Sequence, residues 1–250
     1  MSNKFDPENP FRDKETKPET TIGASETMGL KVEQFFSTPG THPFDELEWE
    51  ARSAKITGDD GQAIFEQDNI EVPTCWSQLA TKVVASKYFY GDAESGQREN
   101  SVKQLVHRVC KTIADRGRKD GYFETDEDAE IFYNELTWLC VNQYGAFNSP
   151  VWFNVGLLDV YGVSGGKHNY HWDPESKDAI ACENSYEYPQ SSACFIQSVK
   201  DSMEDIMRLA TSEAMLFKHG SGTGTDLSTL RSSKEKLSGG GKPSGPLSFS

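Results

Sequence analysis

The sequence predicts an α/β protein, with helices leading and strands entering later. Three observations predict it. Residues 101–113 and 127–144 place apolar side chains at helical spacing. After Gly145 short apolar alternations bounded by glycine and proline take over. A further apolar run, Ala193 to Val199, leads directly into a third helical stripe.

Taken in order, residues 1–30 read as a disordered polar tail, because their few apolar side chains keep no period and bury too little to offset the entropy of ordering. Residues 31–145 form a mainly helical N-terminal domain. Val102, Leu105, Val109 and Ile113 share one helix face. The polar run Arg116 to Gly121 reads as a loop. Thr125 stands three residues before Asp128 as a capping box with aspartate in the glutamate position, so the spacing predicts a second helix from about Glu127 to Tyr144. Residues 146–250 form the second domain. Pro150 to Val155 alternates Val151, Phe153 and Val155 against Trp152 and Asn154, which predicts a short strand closed by Gly156. Residues 157–192 read as a long irregular stretch, and a stretch of that length is functional or mobile. Ala193 to Val199 is the second predicted strand. A helix then starts at Asp201-Ser202, with Met203, Ile206, Ala210, Ala214 and Phe217 along it as a core-packing stripe.

Composition limits the function. Among 250 residues, 36% are hydrophobic and 26% charged, enough for a folded core. The net charge of −14 argues against coating nucleic acid or anionic lipid by bulk electrostatics. No run approaches a membrane span, and the charged first thirty residues lack the apolar core of a secretory signal. Five cysteines without a CxxC pair fit reduced thiols in a cytoplasmic protein.

Several motifs bear on chemistry. In His219-Gly-Ser-Gly-Thr-Gly-Thr-Asp-Leu227, alternate glycines let the backbone approach a ligand and leave N–H groups to face an anion, although composition alone equally describes a flexible linker. The run matches neither a dinucleotide fingerprint nor a P-loop. Cys75, Cys110 and Cys140 lie among apolar residues of predicted helices as inert buried thiols. Cys194 opens a strand beside a loop, where sites are assembled. Ser149-Pro150 precedes the other predicted strand, and two parallel neighbours would bring both to one sheet edge. His168, His171, Cys182 and Cys194 offer a four-ligand zinc alternative, against which stands the spacing of the two cysteines.

Four ordered blocks then carry a resemblance: Phe147-Asn-Ser-Pro-Val-Trp-Phe-Asn-Val-Gly156, Ser191-Ser-Ala-Cys-Phe-Ile-Gln-Ser-Val199, Phe217-Lys-His-Gly-Ser-Gly-Thr-Gly-Thr-Asp-Leu-Ser-Thr-Leu-Arg231, and Leu237-Ser-Gly-Gly-Gly-Lys-Pro-Ser-Gly-Pro-Leu-Ser-Phe249. Together they resemble the adenosylcobalamin-dependent (class II) ribonucleotide reductases. The resemblance implies a helical domain followed by the first part of a ten-stranded α/β barrel. It implies conversion of ribonucleotides to 2′-deoxyribonucleotides by radical chemistry. By position, Ser149, Ala193, Cys194 and Gly222 match substrate contacts, and Cys194 matches one half of the redox-active cysteine pair. Asp201, Ser202 and Met203 fall where relatives meet a deoxynucleotide or ATP effector, although Ser202 equally suits a helix cap. Adenosylcobalamin, a thioredoxin-type dithiol and a homodimer follow from the same resemblance, with no residue assigned to the corrin.

Departures accompany it. Ala193 stands where many relatives carry serine. The Asn-x-Cys-x-Glu block of the thiyl-forming cysteine, the second cysteine of the pair and the later phosphate loop do not occur in this sequence. The expectation is therefore the N-terminal portion of a reductase, from a truncated, split or interrupted gene, inactive until joined to a C-terminal segment or partner chain. The alternatives are a stand-alone nucleotide-binding or regulatory module and the zinc-stabilised domain.

Overall fold

The computed structural model describes residues 29–92, 97–167 and 169–248, and they divide into two compact units. Much of the predicted tail lies outside the described residues. The first unit runs to Phe147 and resumes over Val151–Pro189; the second joins Asn148–Pro150 to the chain from Gln190 onward.

The first unit opens with an antiparallel hairpin, β1 (Trp49–Thr57) and β2 (Ala63–Pro73). The sequence reading placed this stretch in a mainly helical region. The hairpin is hard to see because β1 reads Glu-Ala-Arg-Ser-Ala-Lys, residues at home on a helix, and two register shifts break its alternation. Then come α1 (Gln78–Lys87), the short pair β3 (Gly91–Asp92) and β4 (Gln97–Arg98), α2 (Val102–Lys119) and α3 (Asp126–Val141).

The expected capping box at Thr125 closes, and a second forms at Ser101. The Ser101 hydroxyl accepts from the Lys103 N–H at 3.1 Å while Gln104 Oε1 accepts from the Ser101 N–H at 3.1 Å. The Thr125 hydroxyl accepts from the Asp128 N–H at 3.1 Å, and Asp128 Oδ2 accepts from the Thr125 N–H at 3.0 Å, so aspartate does serve in the glutamate position. The predicted loop at 116–121 shrinks to the residues after Lys119. Gly117 lies inside α2, where a Cβ would come within 2.7 Å of the Phe123 ring; the glycine makes room for that ring rather than breaking the helix.

The core gathers Ile70 and Val72 of β2, Val102, Leu105 and Val109 of α2, and Val141 of α3. Trp76 joins them and donates from its indole to the Val141 carbonyl at 2.8 Å. At its centre lies an ion pair, Arg108 Nε to Glu99 Oε1 at 2.8 Å, with both side chains essentially inaccessible. Arg108 also donates to the carbonyls of Val155 (2.6 Å) and Trp152 (3.2 Å), while Glu99 accepts from the Tyr90 N–H and the Tyr161 hydroxyl, each at 2.8 Å. Charges this deep persist because their hydrogen-bonding capacity is met.

The predicted strand at 150–155 is a helix, α4 (Ser149–Asn154). Val151, Trp152 and Val155 are buried while Phe153 is exposed, an i, i+1, i+4 pattern that an alternating reading mistakes for period two. Pro150 fits because the first helical turn needs no N–H from it. The stretch 157–192 is not structureless either. It holds α5 (Leu157–Tyr161) and an antiparallel hairpin of β5 (Tyr170–Asp173) and β6 (Asp178–Ala181). The Asp173 carboxylate accepts from the Ser176 N–H at 2.9 Å in the turn, and Lys177 takes a left-handed φ of 52°.

The second unit is a strand–helix–strand unit: β7 (Cys194–Ser198), α6 (Met203–Lys218) and β8 (Gly222–Asp226), with β7 and β8 parallel. Its small core is Val199, Leu209 and Leu230, with Ile206 and Leu227 against it. Each sheet among the described residues has two strands and none closes on itself. The architecture is therefore mixed α/β, and a ten-stranded barrel is not visible in it.

Candidate functional site

The site is built on β7 and β8. Parallel pairing aligns Cys194 with Gly222, Ile196 with Gly224 and Ser198 with Asp226. Alternation sends Phe195, Gln197, Thr223 and Thr225 to the half-buried face, and Thr225 Oγ1 donates to Glu213 of α6 at 2.9 Å. Cys194, Ile196, Gly222 and Gly224 share the opposite, exposed face.

The glycine run is thus strand, not the anion-binding loop or linker the sequence suggested. Thr223 and Thr225 supply the β-branched residues of a strand, and Gln197 Nε2 donates to Thr223 Oγ1 at 2.8 Å across the pair. The Gly222 N–H is spent on the Ala193 carbonyl at 2.6 Å. Neither Gly222 nor Gly224 has a positive φ. A Cβ at Gly222 would meet nothing nearer than the Ala193 carbonyl at 3.6 Å, and one at Gly224 nothing nearer than Ile196 Cδ1 at 3.8 Å. Both are ordinary contacts, so packing within the unit does not demand glycine here. What the glycines provide is a flat floor beside the Cys194 thiol.

The approach to that thiol is fixed. The Ser221 hydroxyl donates to the Ser192 carbonyl at 2.8 Å, and Gln190 Nε2 donates to both Ser192 O (3.1 Å) and Ser221 Oγ (3.2 Å). Ser221 is buried. Ala193 and Cys194 therefore leave a braced loop.

The structure brings Ala193, Cys194 and Gly222 together. Ser149 begins a helix rather than a strand, so the expected pairing of its strand with that of Cys194 gives way to pairing with β8; Ser149 still belongs to the same compact unit as Cys194. Ser202 caps α6, accepting from the Asp205 N–H at 3.2 Å. Asp201 pairs with Arg231 at 2.6 Å, and Met203 is exposed. The Asp205 carboxyl is held below the usual carboxylate range, first by the Lys200 N–H and then by Arg208, which ties the loop after β7 to the start of α6.

Of the other cysteines, Cys110 and Cys140 are buried on α2 and α3 as expected, whereas Cys75 is exposed in a turn after β2 rather than on a helix. Cys182 is buried, with its Sγ 3.3 Å from His171 Nδ1, and burial raises its pKa. His168 lies outside the described residues, and among the described residues no three His, Cys, Asp or Glu side chains group to hold a metal. The zinc alternative keeps only the His171–Cys182 contact. The buried Glu99–Arg108 pair was missed by sequence reasoning; both residues sit in polar-looking context, and only the apolar neighbours of Arg108 at helical spacing hint at its burial.

Comparison with known proteins fits these two units. Residues 192–250, which include the strand–helix–strand unit, match the family model described as the ribonucleotide reductase barrel domain. Residues 50–143 match the model described as class II vitamin B12-dependent ribonucleotide reductase. The vitamin B12-dependent ribonucleotide reductase of Rhodopirellula baltica is 63% identical over 223 residues, 88% of this chain and 21% of the relative. Those of Streptomyces clavuligerus and Streptomyces coelicolor are each 44% identical, over 92% and 91% of this chain and 21% of each relative. The chain belongs to the class II, vitamin B12-dependent ribonucleotide reductase family, and it spans about a fifth of the length of these relatives.

Proposed function

We propose that this chain supplies the substrate-facing first strands of a reductase that converts ribonucleotides to 2′-deoxyribonucleotides, working with the remaining four fifths of the length its relatives have. The observation that carries the proposal is the register of Cys194 with Gly222 on an open sheet face whose glycines the fold itself does not require. A sugar laid on that floor has a thiol at its edge and no Cβ beneath it. In this reading Ala193, Gly222 and Ser149 contact the substrate, and Asp201, Ser202 and Met203 border an effector nucleotide. β7 and β8 begin a ten-stranded barrel completed by further chain, in a cytoplasmic enzyme that pairs as a homodimer.

Cys194 is one of two thiols. Its partner thiol comes from the remaining reductase length. Together they give up two protons and two electrons and close an S–S bond, while the ribose C2′ exchanges its hydroxyl for hydrogen and the hydroxyl leaves as water. A thioredoxin-type dithiol then reopens the disulfide.

Adenosylcobalamin supplies the radical chemistry in the complete enzyme. Among the described residues each histidine is engaged within its own unit. His42 and His107 are bonded to Tyr133, His171 contacts Cys182 and stacks on Tyr188, and His219 is bonded to the Met215 carbonyl. A cavity of about 430 Å³ is lined by Lys87, Tyr88, Tyr90 and Phe153, the scale of a small ligand. No residue of this chain is assigned to the corrin.

The test is alkylation of Cys194 by iodoacetamide, followed by peptide mass analysis, with and without ribonucleoside di- or triphosphate. Protection of Cys194 by ribonucleotide, with Cys75 labelled at an unchanged rate, is the expected result. Equal labelling of Cys194 in both conditions contradicts the proposed site.

A further inference from the structure

Away from the thiol, the first unit carries a chain of touching aromatic rings on its surface. Phe35 meets Phe36 edge-on at 4.8 Å, Phe36 stacks on Trp138 at 5.2 Å, and Trp138 meets Tyr144 at 5.1 Å. Phe35 is 81% exposed and Tyr144 74%. The ladder is held in place: Glu135 of α3 accepts from the N–H groups of Phe36 and Ser37, each at 2.8 Å, and Glu46 accepts from the Thr38 N–H at 2.8 Å and the Trp138 indole at 3.1 Å. A contiguous exposed apolar patch of this kind marks an interaction site.

The charge around the ladder identifies that occupant. Residues 29–48 carry four carboxylates and one lysine, and residues 124–144 carry six carboxylates and no lysine or arginine. Arg118 of α2 answers two of them, Asp126 and Glu130. Burial works against ionisation of Glu135, but its bonds from Ser37 and Phe36 outweigh that and hold its carboxyl below the usual range, so it is charged at neutral pH. Nucleic acid and anionic lipid are repelled by such a surface, and so is a second copy of a chain with net charge −14. Aromatic faces with the carboxylates of Glu46 and Glu135 bonded beside them suit cations carried on apolar stems. Guanidinium groups stack on the rings while the stems cover them.

We propose that the Phe35–Phe36–Trp138–Tyr144 ladder is a docking surface for an extended, arginine- and lysine-bearing segment of a partner polypeptide. Nothing in this proposal depends on Cys194 or on nucleotide binding.

The test is calorimetric titration of the 250-residue chain with a ten-residue peptide of alternating arginine and serine, at low and high salt. The expected result is saturable binding that weakens with salt and falls roughly tenfold or more in the Phe35→Ala/Tyr144→Ala double variant. Both side chains are exposed, so the melting temperature of the double variant should match the wild type. Absence of binding overturns the proposal. Equal binding by the double variant overturns it too, because charge alone would then suffice. A serine–phenylalanine peptide binding as well as the arginine peptide makes the surface merely greasy and also overturns it. Peptide binding that appears only after deletion of residues 1–28 hands the ladder to the protein's own N-terminal segment. Self-association abolished by the double variant hands it to a second copy. Either of those results is likewise contrary to the proposal.

Discussion

The two units solve opposite problems. The first buries a pair of charges at its centre and meets their needs with a tyrosine hydroxyl, a backbone N–H and two carbonyls. The second has a core of three buried residues and leaves Ile196 90% exposed on a two-stranded parallel sheet. Parallel sheets are normally covered on both faces. The contrast teaches that the first unit is specified from within, whereas the second presents a face whose glycines its own packing does not require. Substitutions in the first unit should therefore show in stability, and substitutions on the open face of the second should show in ligand contact.

The largest effect is expected from Arg108→Met, which strands Glu99 without its partner. Removing one member of a buried pair costs roughly 3–5 kcal/mol, enough to unfold a marginal unit. Denaturant unfolding followed by circular dichroism reads this directly. A loss below about 1 kcal/mol would mean that water reaches the pair and that the first unit is looser than described.

Next comes a glycine contrast. Gly156 has φ +80°, and a Cβ there would fall 2.6 Å from the Arg108 carbonyl and 2.7 Å from Thr112 Oγ1. Gly156→Ala should cost on the order of 1–3 kcal/mol. Gly222→Ala, with ordinary φ and open space, should leave stability within about 1 kcal/mol, the propensity range of a strand residue, while weakening ribonucleotide protection of Cys194. Should Gly222→Ala destabilise as much as Gly156→Ala, the floor would be structural and the distinction between the units would vanish.

The smallest effect is one of pH. His42 Nδ1 accepts from the Phe44 N–H at 3.2 Å, so its Nε2 carries the hydrogen and donates to Tyr133 Oη at 3.0 Å; the Tyr133 hydroxyl in turn donates to His107 Nδ1 at 2.8 Å. Burial lowers the His42 pKa from 6.5; Asp45 and Glu130 oppose this and Lys103 adds to it. A depressed histidine pKa means that the unfolded chain binds the proton first. Stability is then full above pH 6.5 and declines as pH falls below it, towards the folded-state value. Asp128, held low by Thr125 and Val32, contributes in a separate window below its ordinary 3.8. His42→Asn should flatten the stability profile just below pH 6.5 and leave the acid limb below about pH 4 in place. An unchanged slope near pH 6 would assign that titration to other groups.

How much of this was legible in the sequence depends on how local the cause is. The caps at Thr125 and Ser202, the helices α2, α3 and α6 and the strand at Cys194 follow from neighbours three or four residues apart. The expected core stripe of α6 does not hold: Met203, Ala210, Ala214 and Phe217 are exposed, Ile206 is half-buried, and Leu209 is the residue α6 buries. α4 was misread because six residues contain too few turns to separate period two from period 3.6 when Val151, Trp152 and Val155 are all apolar. β1 was missed because its stability comes from pairing with β2, not from its own composition. Cys194 and the glycine run were legible as site candidates from a strand edge and close backbone approach, and their substrate roles came only through resemblance; their register depends on α6 carrying the chain back parallel. The Glu99–Arg108 pair is less legible still, because what buries it includes α4 and Tyr161, more than forty residues away.

The central claim is that Cys194 passes electrons to a ribonucleotide lying on the β8 glycines. The most direct measurement replaces the corresponding N-terminal part of the Rhodopirellula baltica reductase with this chain. Deoxynucleotide formation is then followed over many cycles with adenosylcobalamin and a dithiol. The account predicts sustained product from the chimera and none beyond background once Cys194→Ser is introduced, with folding unchanged. Sustained multiple-cycle synthesis by the Cys194→Ser chimera would contradict it.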